Sequence, residues 1–109
     1  WRILQQKKPD DYVIATGVQY SIKEFINMTA KKLNLKITWK GSGLKEKGLD
    51  HKGNTIIECD KNYFRPLDVN TLLGNSKKAR KKLKWKPTIN IKNLISQMIE
   101  FEYKNFNEN

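Results

Sequence analysis

The sequence predicts a small α/β fold with short strands and about three to four helices. Short runs in which apolar and polar residues alternate indicate strands, and apolar residues at helical spacing follow a capping signal at Ser21. A further apolar stripe from Ile91 onwards indicates a last helix. Because 109 residues is close to the usual size of one domain, residues 1–109 are predicted to form a single domain or a piece of one.

Three short strands are predicted from their alternation and from the turn residues that flank them. They span residues 12–15, 36–40 and 55–59. Gly17 breaks the chain after the first strand, and Ile37 and Trp39 lie on one face of the second, where we expect the tryptophan to pack. The stretch 41–53 is glycine-rich and charged, which predicts a loop longer than most connections. Such loops often act as lids or bind ligands, and Glu46 lies in this one.

The predicted helices are marked by caps and by apolar spacing. They comprise the tail of a helix at 1–6, a helix that begins at Ser21, a basic helix at 77–84 and the last helix from Ile91. Glu24 follows Ser21 by three positions, so that the two side chains can form a capping box. In the basic helix Ala79 and Leu83 are four positions apart and face inward, while Asn75 or Ser76 caps the first turn.

The charge of the chain raises the possibility of a nucleic-acid ligand. Lysine and arginine number 22 against 11 acidic residues, which gives a net charge of +11 and is typical of nucleic-acid-binding proteins. Only Arg2, Arg65 and Arg80 are arginine, whereas the readout of bases favours arginine. The composition therefore argues against sequence-specific binding and leaves nonspecific phosphate contact at low salt. A small basic nucleic-acid-binding protein on a reused fold fragment remains the alternative function.

The single cysteine and the single histidine exclude several kinds of site. Cys59 cannot form an internal disulfide and is predicted to be a small buried hydrophobe. With His51 as the sole histidine, the sequence predicts neither a catalytic thiol nor a zinc site. No apolar stretch approaches the roughly 20 residues of a membrane span, and no signal-peptide pattern is visible. We therefore expect a cytoplasmic protein without a membrane partner.

The most specific chemistry lies in the segment 60–68. Arg65 stands beside Tyr63 and Phe64, and its guanidinium can bind a phosphate through two parallel hydrogen bonds. Pro66 restricts Arg65 to an extended backbone. Asp68, three residues further on, can accept hydrogen bonds from sugar hydroxyls. An arginine for phosphate and a carboxylate for a diol indicate a nucleotide-sugar site; the alternative is a turn that carries a surface ion pair.

Further motifs surround this segment in a fixed order. They are residues 11–17 (DYVIATG), 20–25 (YSIKEF), 39–43 (WKGSG), 73–75 (LGN) and 83–87 (LKWKP). Together with Tyr-Phe-Arg-Pro at 63–66, they resemble the C-terminal region of the GDP-mannose 4,6-dehydratase family over nearly the whole chain. That family belongs to the extended short-chain dehydrogenases/reductases. The chain departs from the family at Lys84, where glycine is usual, and at Asp68, where glutamate is usual.

The resemblance implies a parent enzyme, a lyase, that uses NADP to convert GDP-mannose into GDP-4-keto-6-deoxymannose and water. It implies that residues 1–109 form the small C-terminal substrate-binding portion of this enzyme. In that portion Arg65 would bind the diphosphate of a GDP-sugar, and Glu46 would either approach the nucleotide or solvate its loop. Asp68 would bind a hydroxyl group, although aspartate reaches less far than the usual glutamate.

Two family motifs are missing from the sequence. The family binds its cofactor on an N-terminal Rossmann domain that opens with a glycine-rich turn, and no Gly-x-x-Gly-x-x-Gly occurs here. The catalytic Tyr-x-x-x-Lys of the family is also absent. We therefore expect a chain without the Rossmann sheet that binds no cofactor and is not catalytic alone. A Rossmann-domain half on another chain could complete it.

Overall fold

The structure, a computed structural model, describes residues 1–65, 69 and 71–107, with Asn107 described by its backbone only. Its helices are α1 (Ile22–Lys32), α2 (Lys77–Leu83) and α3 (Ile91–Asn107). Its strands are β1 (Thr38–Lys40), β2 (Lys47–Leu49) and β3 (Thr55–Glu58). The strands form one antiparallel sheet in the order β1-β2-β3. Three helices and a small sheet confirm the predicted α/β fold for the described residues.

Helix α1 begins and ends at the signals that its sequence carries. The Ser21 hydroxyl accepts from the Glu24 backbone N–H at 3.1 Å, and the Glu24 carboxylate accepts from the Ser21 N–H at 2.7 Å. This confirms the predicted capping box. At the other end Asn34 has a left-handed backbone with φ of 57°, and the Leu35 N–H reaches back to the carbonyl of Ala30. This is a Schellman motif, in which asparagine occupies the position that usually takes glycine.

The central strand of the sheet lies inside the stretch that was predicted to be a loop. Strand β2 occupies Lys47–Leu49 and pairs with both neighbours, so the prediction of a continuous loop at 41–53 is wrong. Gly48 hides the strand in the sequence, because glycine has a low strand propensity. Glycine suits the close packing there, since a Cβ at Gly48 would lie 3.1 Å from Ile37 Cγ2 and 3.3 Å from Ile57 Cβ, closer than ordinary van der Waals contact. The missing side chain lets the flanking strands close over β2.

The first seventeen residues wrap around α2 and form no regular element. Residues 1–6 make turns with N–H groups bonded three positions back, so the helix tail predicted there is wrong. Arg2 Nη1 donates to the carbonyl of Leu83 at 3.1 Å and also to that of Lys84, which satisfies the C-terminal end of α2. The strand predicted at 12–15 belongs to no sheet among the described residues.

A carboxylate fixes this N-terminal segment to α2. Asp10 accepts hydrogen bonds from the ammonium groups of Lys78 and of Lys82, the second at 2.8 Å. These two hydrogen bonds, with that of Lys78 the larger effect, hold the pKa of Asp10 well below its ordinary value of 3.8. Because the folded-state pKa is lowered, the stabilisation is present above the ordinary value and is lost as the pH falls below it.

We expect Asp10→Asn to lower the stability of the chain slightly at neutral pH, since exposed ion pairs contribute little. The difference from the wild type should shrink when unfolding is measured below the ordinary carboxylate pKa, where Asp10 loses its charge on unfolding. Urea unfolding at neutral and at acidic pH checks this. Asp11→Asn is the matched control, because the Asp11 side chain has no ion pair among the described residues and its loss should change neither midpoint. A difference that stays constant with pH would contradict the assigned role of Asp10.

Helix α2 ends at a lysine in a left-handed conformation. Lys84 has φ of 50° and ψ of 32° at the C-cap of the helix. For residues other than glycine, this backbone conformation costs about 1–3 kcal/mol of folding stability. The resemblance places glycine at this position in the family, and the backbone geometry explains that preference.

Lys84→Gly should therefore stabilise the chain by about 0.5–1 kcal/mol, after the greater freedom of glycine in the unfolded state is subtracted. Asn34→Gly is the matched control, because asparagine tolerates the left-handed region and should gain less. Denaturant unfolding of both variants measures the two gains. A loss of stability in Lys84→Gly would show that the lysine side chain contributes more than its backbone strain costs.

The packed interior is small. The buried apolar residues of the described chain are Ala30, Ala79, Leu83 and Ile95. Ala79 and Leu83 lie inside as predicted, and α1 contacts α3 beside a groove of about 720 Å³. The chain exposes 10019 Å² and has a radius of gyration of 18.6 Å, against about 6,300 Å² and about 13 Å for a compact monomer of its size. Among the described helices, none is long and apolar enough to cross a bilayer.

Candidate functional site

The candidate anion site follows directly after the sheet. Strand β3 leads into a short 3₁₀ turn over Lys61–Tyr63. Asp60 caps this turn, because its carboxylate accepts from the Asn62 N–H at 2.8 Å. The Phe64 N–H closes the turn onto the Lys61 carbonyl at 3.3 Å, and Phe64 itself has an extended backbone. Arg65 therefore follows directly after the turn and the extended residue Phe64.

Arg65 is exposed and has no ion pair or side-chain hydrogen bond within the described ranges. The two aromatic residues before it are exposed as well, Tyr63 by 83% and Phe64 by 51%. A guanidinium without an internal partner keeps all of its donors for a ligand. Asp68 and Pro66 lie outside the described residues, so the distance from Arg65 to the Asp68 carboxylate stays a prediction. The alternative, a turn that carries a surface ion pair, stays open for the same reason as the Asp68 contact: its nearest carboxylate lies outside the described residues.

Glu46 and Trp39 belong to a cluster that joins the sheet to α1. Glu46 Oε1 lies 2.6 Å from Lys23 Nζ, and this ammonium lies 4.8 Å from the centre of the Trp39 ring. The indole N–H of Trp39 donates to Asn27 Oδ1 at 2.8 Å. Trp39 therefore packs, as expected, and the Glu46 carboxylate is used inside the protein. These contacts hold the 41–46 turn against α1.

The basic helix is less uniform than its sequence suggests. Lys77, Arg80 and Lys81 are exposed as predicted, but Arg80 also contacts the N-terminal segment. Its Nε donates to the buried Ser76 hydroxyl at 3.0 Å, and its Nη2 donates to the Thr16 carbonyl at 2.8 Å. No local pattern in the sequence signals this contact, because Thr16 lies 64 positions away from Arg80. The Asn75 side chain, which accepts from the Lys77 N–H at 3.1 Å, makes the side-chain cap of this helix.

The cysteine does not occupy the position predicted for it. Cys59 is exposed, with its sulfur 3.9 Å from the Gly43 carbonyl, so the prediction of a buried hydrophobe is wrong. Strand β3 ends at Glu58, and the residue after it leaves the sheet. Within the described ranges, no group of three or more His, Cys, Asp or Glu side chains could hold a metal ion.

Comparison with known proteins places this α/β chain among the nucleotide-sugar dehydratases. The profile of the family described as GDP-mannose 4,6 dehydratase matches residues 1–98. The chain therefore belongs to the GDP-mannose 4,6-dehydratase family. The matched range includes Arg65 and the Lys84 position, and the alternative of a nucleic-acid-binding protein finds no support in these comparisons.

Individual relatives agree with the family. GDP-mannose 4,6 dehydratase 2 of Caenorhabditis elegans is 44% identical over 99 residues, which cover 91% of this chain and 26% of the relative. GDP-mannose 4,6-dehydratase of Vibrio cholerae is 40% identical over 115 residues, covering 95% and 31%. GDP-mannose 4,6 dehydratase of Drosophila melanogaster is 36% identical over 110 residues, covering 100% and 28%. The chain thus spans between a quarter and a third of the length of these curated relatives.

Proposed function

We propose that this chain forms the C-terminal, nucleotide-sugar-binding part of a GDP-mannose 4,6-dehydratase and is not catalytic alone. The family match supports a GDP-sugar as the ligand. The observation that carries the site is the exposed guanidinium of Arg65, which has no internal partner within the described ranges. In this proposal Arg65 binds the diphosphate through two parallel N–H donors, and Asp68 accepts from a sugar hydroxyl.

NADP, which the proposed parent reaction requires, does not fit the described residues of this chain. A dinucleotide fold places the pyrophosphate at the N-terminus of a helix that follows a parallel strand. The sheet described here is antiparallel, and the N-terminus of α1 is closed by its own Ser21–Glu24 capping box. We infer that NADP is bound by a Rossmann-domain part of the dehydratase outside residues 1–109, and that the catalytic groups lie there too. The cytoplasmic location of this chain stays a prediction.

Titration of GDP-mannose into the purified chain at physiological salt tests the proposed function. Ligand-observed NMR or calorimetry should show saturable binding. The dissociation constant should be no tighter than about 1 mM, because only part of the pocket is present. GDP-mannose should bind more tightly than GDP alone if Asp68 contacts the sugar. The absence of saturable binding for both ligands would contradict the proposal.

A further inference from the structure

The groove between α1 and α3 is open along both helices. It has a volume of about 720 Å³, which is room for a row of apolar side chains from other helices. Its lining is mostly apolar and includes Phe25, Thr29, Leu33, Met98, Ile99 and Phe106. Both helices therefore turn an apolar stripe towards the same open space.

The sheet contacts the opposite side of α1. Lys23 and Asn27 of this helix contact Glu46 and Trp39, respectively. The groove residues of α1 lie two positions after Lys23 and after Asn27, which is about 200° around a helix. The sheet thus lies behind α1 and leaves the groove face open. An apolar layer of two helices is stable when a second layer packs on it.

The charge near the groove differs from that of the whole chain. Residues 93–107 carry Glu100 and Glu102 against Lys104, a net charge of −1, whereas the chain carries +11. Helix α1 has three lysines against one glutamate, a net charge of +2. Among the described residues that line the groove, Glu102 is the charged one. Two copies of the chain repel each other over most of their surface, but the α3 of one attracts the α1 of the other.

We propose that the layer formed by α1 and α3 packs on the same layer of a second copy of this chain, so that the four helices form a bundle. A two-fold axis that runs between the layers, along the helices, sets the α3 of each copy against the α1 of the other. The two grooves then close on each other around a shared apolar core. The proposal rests on this groove and not on the proposed GDP-sugar site.

Two observations favour a second copy over the remainder of a dehydratase as the occupant. The match to the family profile ends at residue 98, whereas Ile99, Tyr103 and Phe106 of the groove lie beyond it. A face that receives a part common to the family is expected within the profile. A second copy also brings the same apolar layer with complementary charge, which is the self-complementarity that a two-fold contact requires.

The dimer should be of moderate strength. Helices of 11 and 17 residues lying side by side form a face roughly 20 Å wide and 20 Å long. Such a face buries on the order of 1,000 Å² in total, the low end for a specific interface. We therefore expect a dissociation constant of about 10–100 µM, which sedimentation velocity from about 1 µM to about 500 µM covers. The methyl NMR signals of Met98 and Ile99 should shift over this range, and that of Ile3 in the N-terminal segment should not.

Two phenylalanines of α3 provide a matched test. Phe106 lines the groove and is 83% exposed, so Phe106→Lys places a charge in the shared core without removing a buried contact. It should weaken the dimer at least about tenfold, because a lysine there loses its hydration. Phe101 is 62% exposed, does not line the groove and lies five positions earlier, about 140° around the helix. Phe101→Lys should leave the dissociation constant within about twofold.

Two glutamates of α3 test the charge contribution. Glu102 lines the groove, and Glu100 lies two positions earlier, about 200° around the helix. Glu102→Lys should weaken the dimer about three- to tenfold, because it sets a lysine against the basic α1 of the other copy. Glu100→Lys makes the same change of charge and should weaken it less than about twofold. Far-UV circular dichroism checks that all four variants keep their helices.

Several results would overturn the proposal. A chain that stays monomeric through the whole concentration range would do so, and would leave the groove to another part of a dehydratase. A dimer in which the signals of Met98 and Ile99 do not move would place the interface elsewhere. Equal weakening by the two phenylalanine variants would reduce the effect to general charge repulsion. If Phe106→Lys does not fold, the glutamate pair decides, and equal effects of Glu102→Lys and Glu100→Lys would refute the bundle.

Discussion

Arg65→Ala is expected to remove detectable GDP-mannose binding from this chain. The guanidinium is the group assigned to the diphosphate, and charge-assisted bidentate contacts are among the strongest polar interactions that a site can offer. Since the wild-type dissociation constant is expected near 1 mM, a loss of tenfold or more takes binding out of the measurable range. Arg65→Lys should restore little, because an ammonium cannot make the two parallel bonds. Calorimetry or ligand-observed NMR with GDP-mannose measures the three proteins.

The control for this experiment has to remove a charge without removing a structural contact. Arg80→Ala is unsuitable, because Arg80 holds the Thr16 carbonyl and the Ser76 hydroxyl. Lys61→Ala is better matched, because it removes the same charge. Lys61 is exposed and lies on the turn that precedes Arg65. Its binding should stay within about twofold of the wild type, as screened surface charges contribute little. Equal losses in Arg65→Ala and Lys61→Ala would reduce the effect to general charge attraction and would refute the site.

The second large effect concerns thermal stability, which should be low. The exposed surface of 10019 Å² is well above the roughly 6,300 Å² of a compact chain of this mass, and only four apolar residues are buried in the described part. Folding stability is a small difference between burial and chain entropy, so a chain that buries this little has little margin. We expect a broad transition at or below the mesophile range of about 45–65 °C.

Differential scanning calorimetry at low micromolar concentration measures this transition in the monomer. Lys84→Gly serves as the positive control, because it should raise the midpoint without changing the packing. A sharp, cooperative transition well above about 65 °C would contradict the expectation and would mean that the exposed apolar residues contribute less to instability than their area suggests.

Local signals in the sequence were sufficient wherever the interacting residues are close along the chain. The capping box of α1 joins Ser21 to Glu24, and its hydrogen bonds form as predicted. The inward face of α2 follows from the spacing of Ala79 and Leu83 alone. Strands β1 and β3 fall inside their predicted ranges because their residues suit a pleated, half-buried surface.

Long-range contacts account for the errors. The sequence of strand β2 shows no alternation of apolar and polar residues. The strand forms because β1 and β3, whose residues have higher strand propensity, pair with it on either side of Gly48. Residues 12–15 have a strand-like sequence, but a strand needs a partner, and the described chain supplies none. The ends of this segment are set instead by Asp10 and Arg80, whose partners lie more than sixty positions away.

The sequence by itself determined the family of this protein, the helices that carry their own caps, and Arg65 as the residue best suited to bind a phosphate. These features depend on residue types and on spacings of a few positions, which the chain contains whatever its tertiary contacts. Only the tertiary structure decided that Arg65 has no internal partner in the described ranges and that Cys59 is exposed. It also decided that Glu46 and Arg80 have partners within the chain, Lys23 and the Thr16 carbonyl. Whether a charged side chain is paired or free depends on what lies within a few ångströms of it, and that distance is set by the fold.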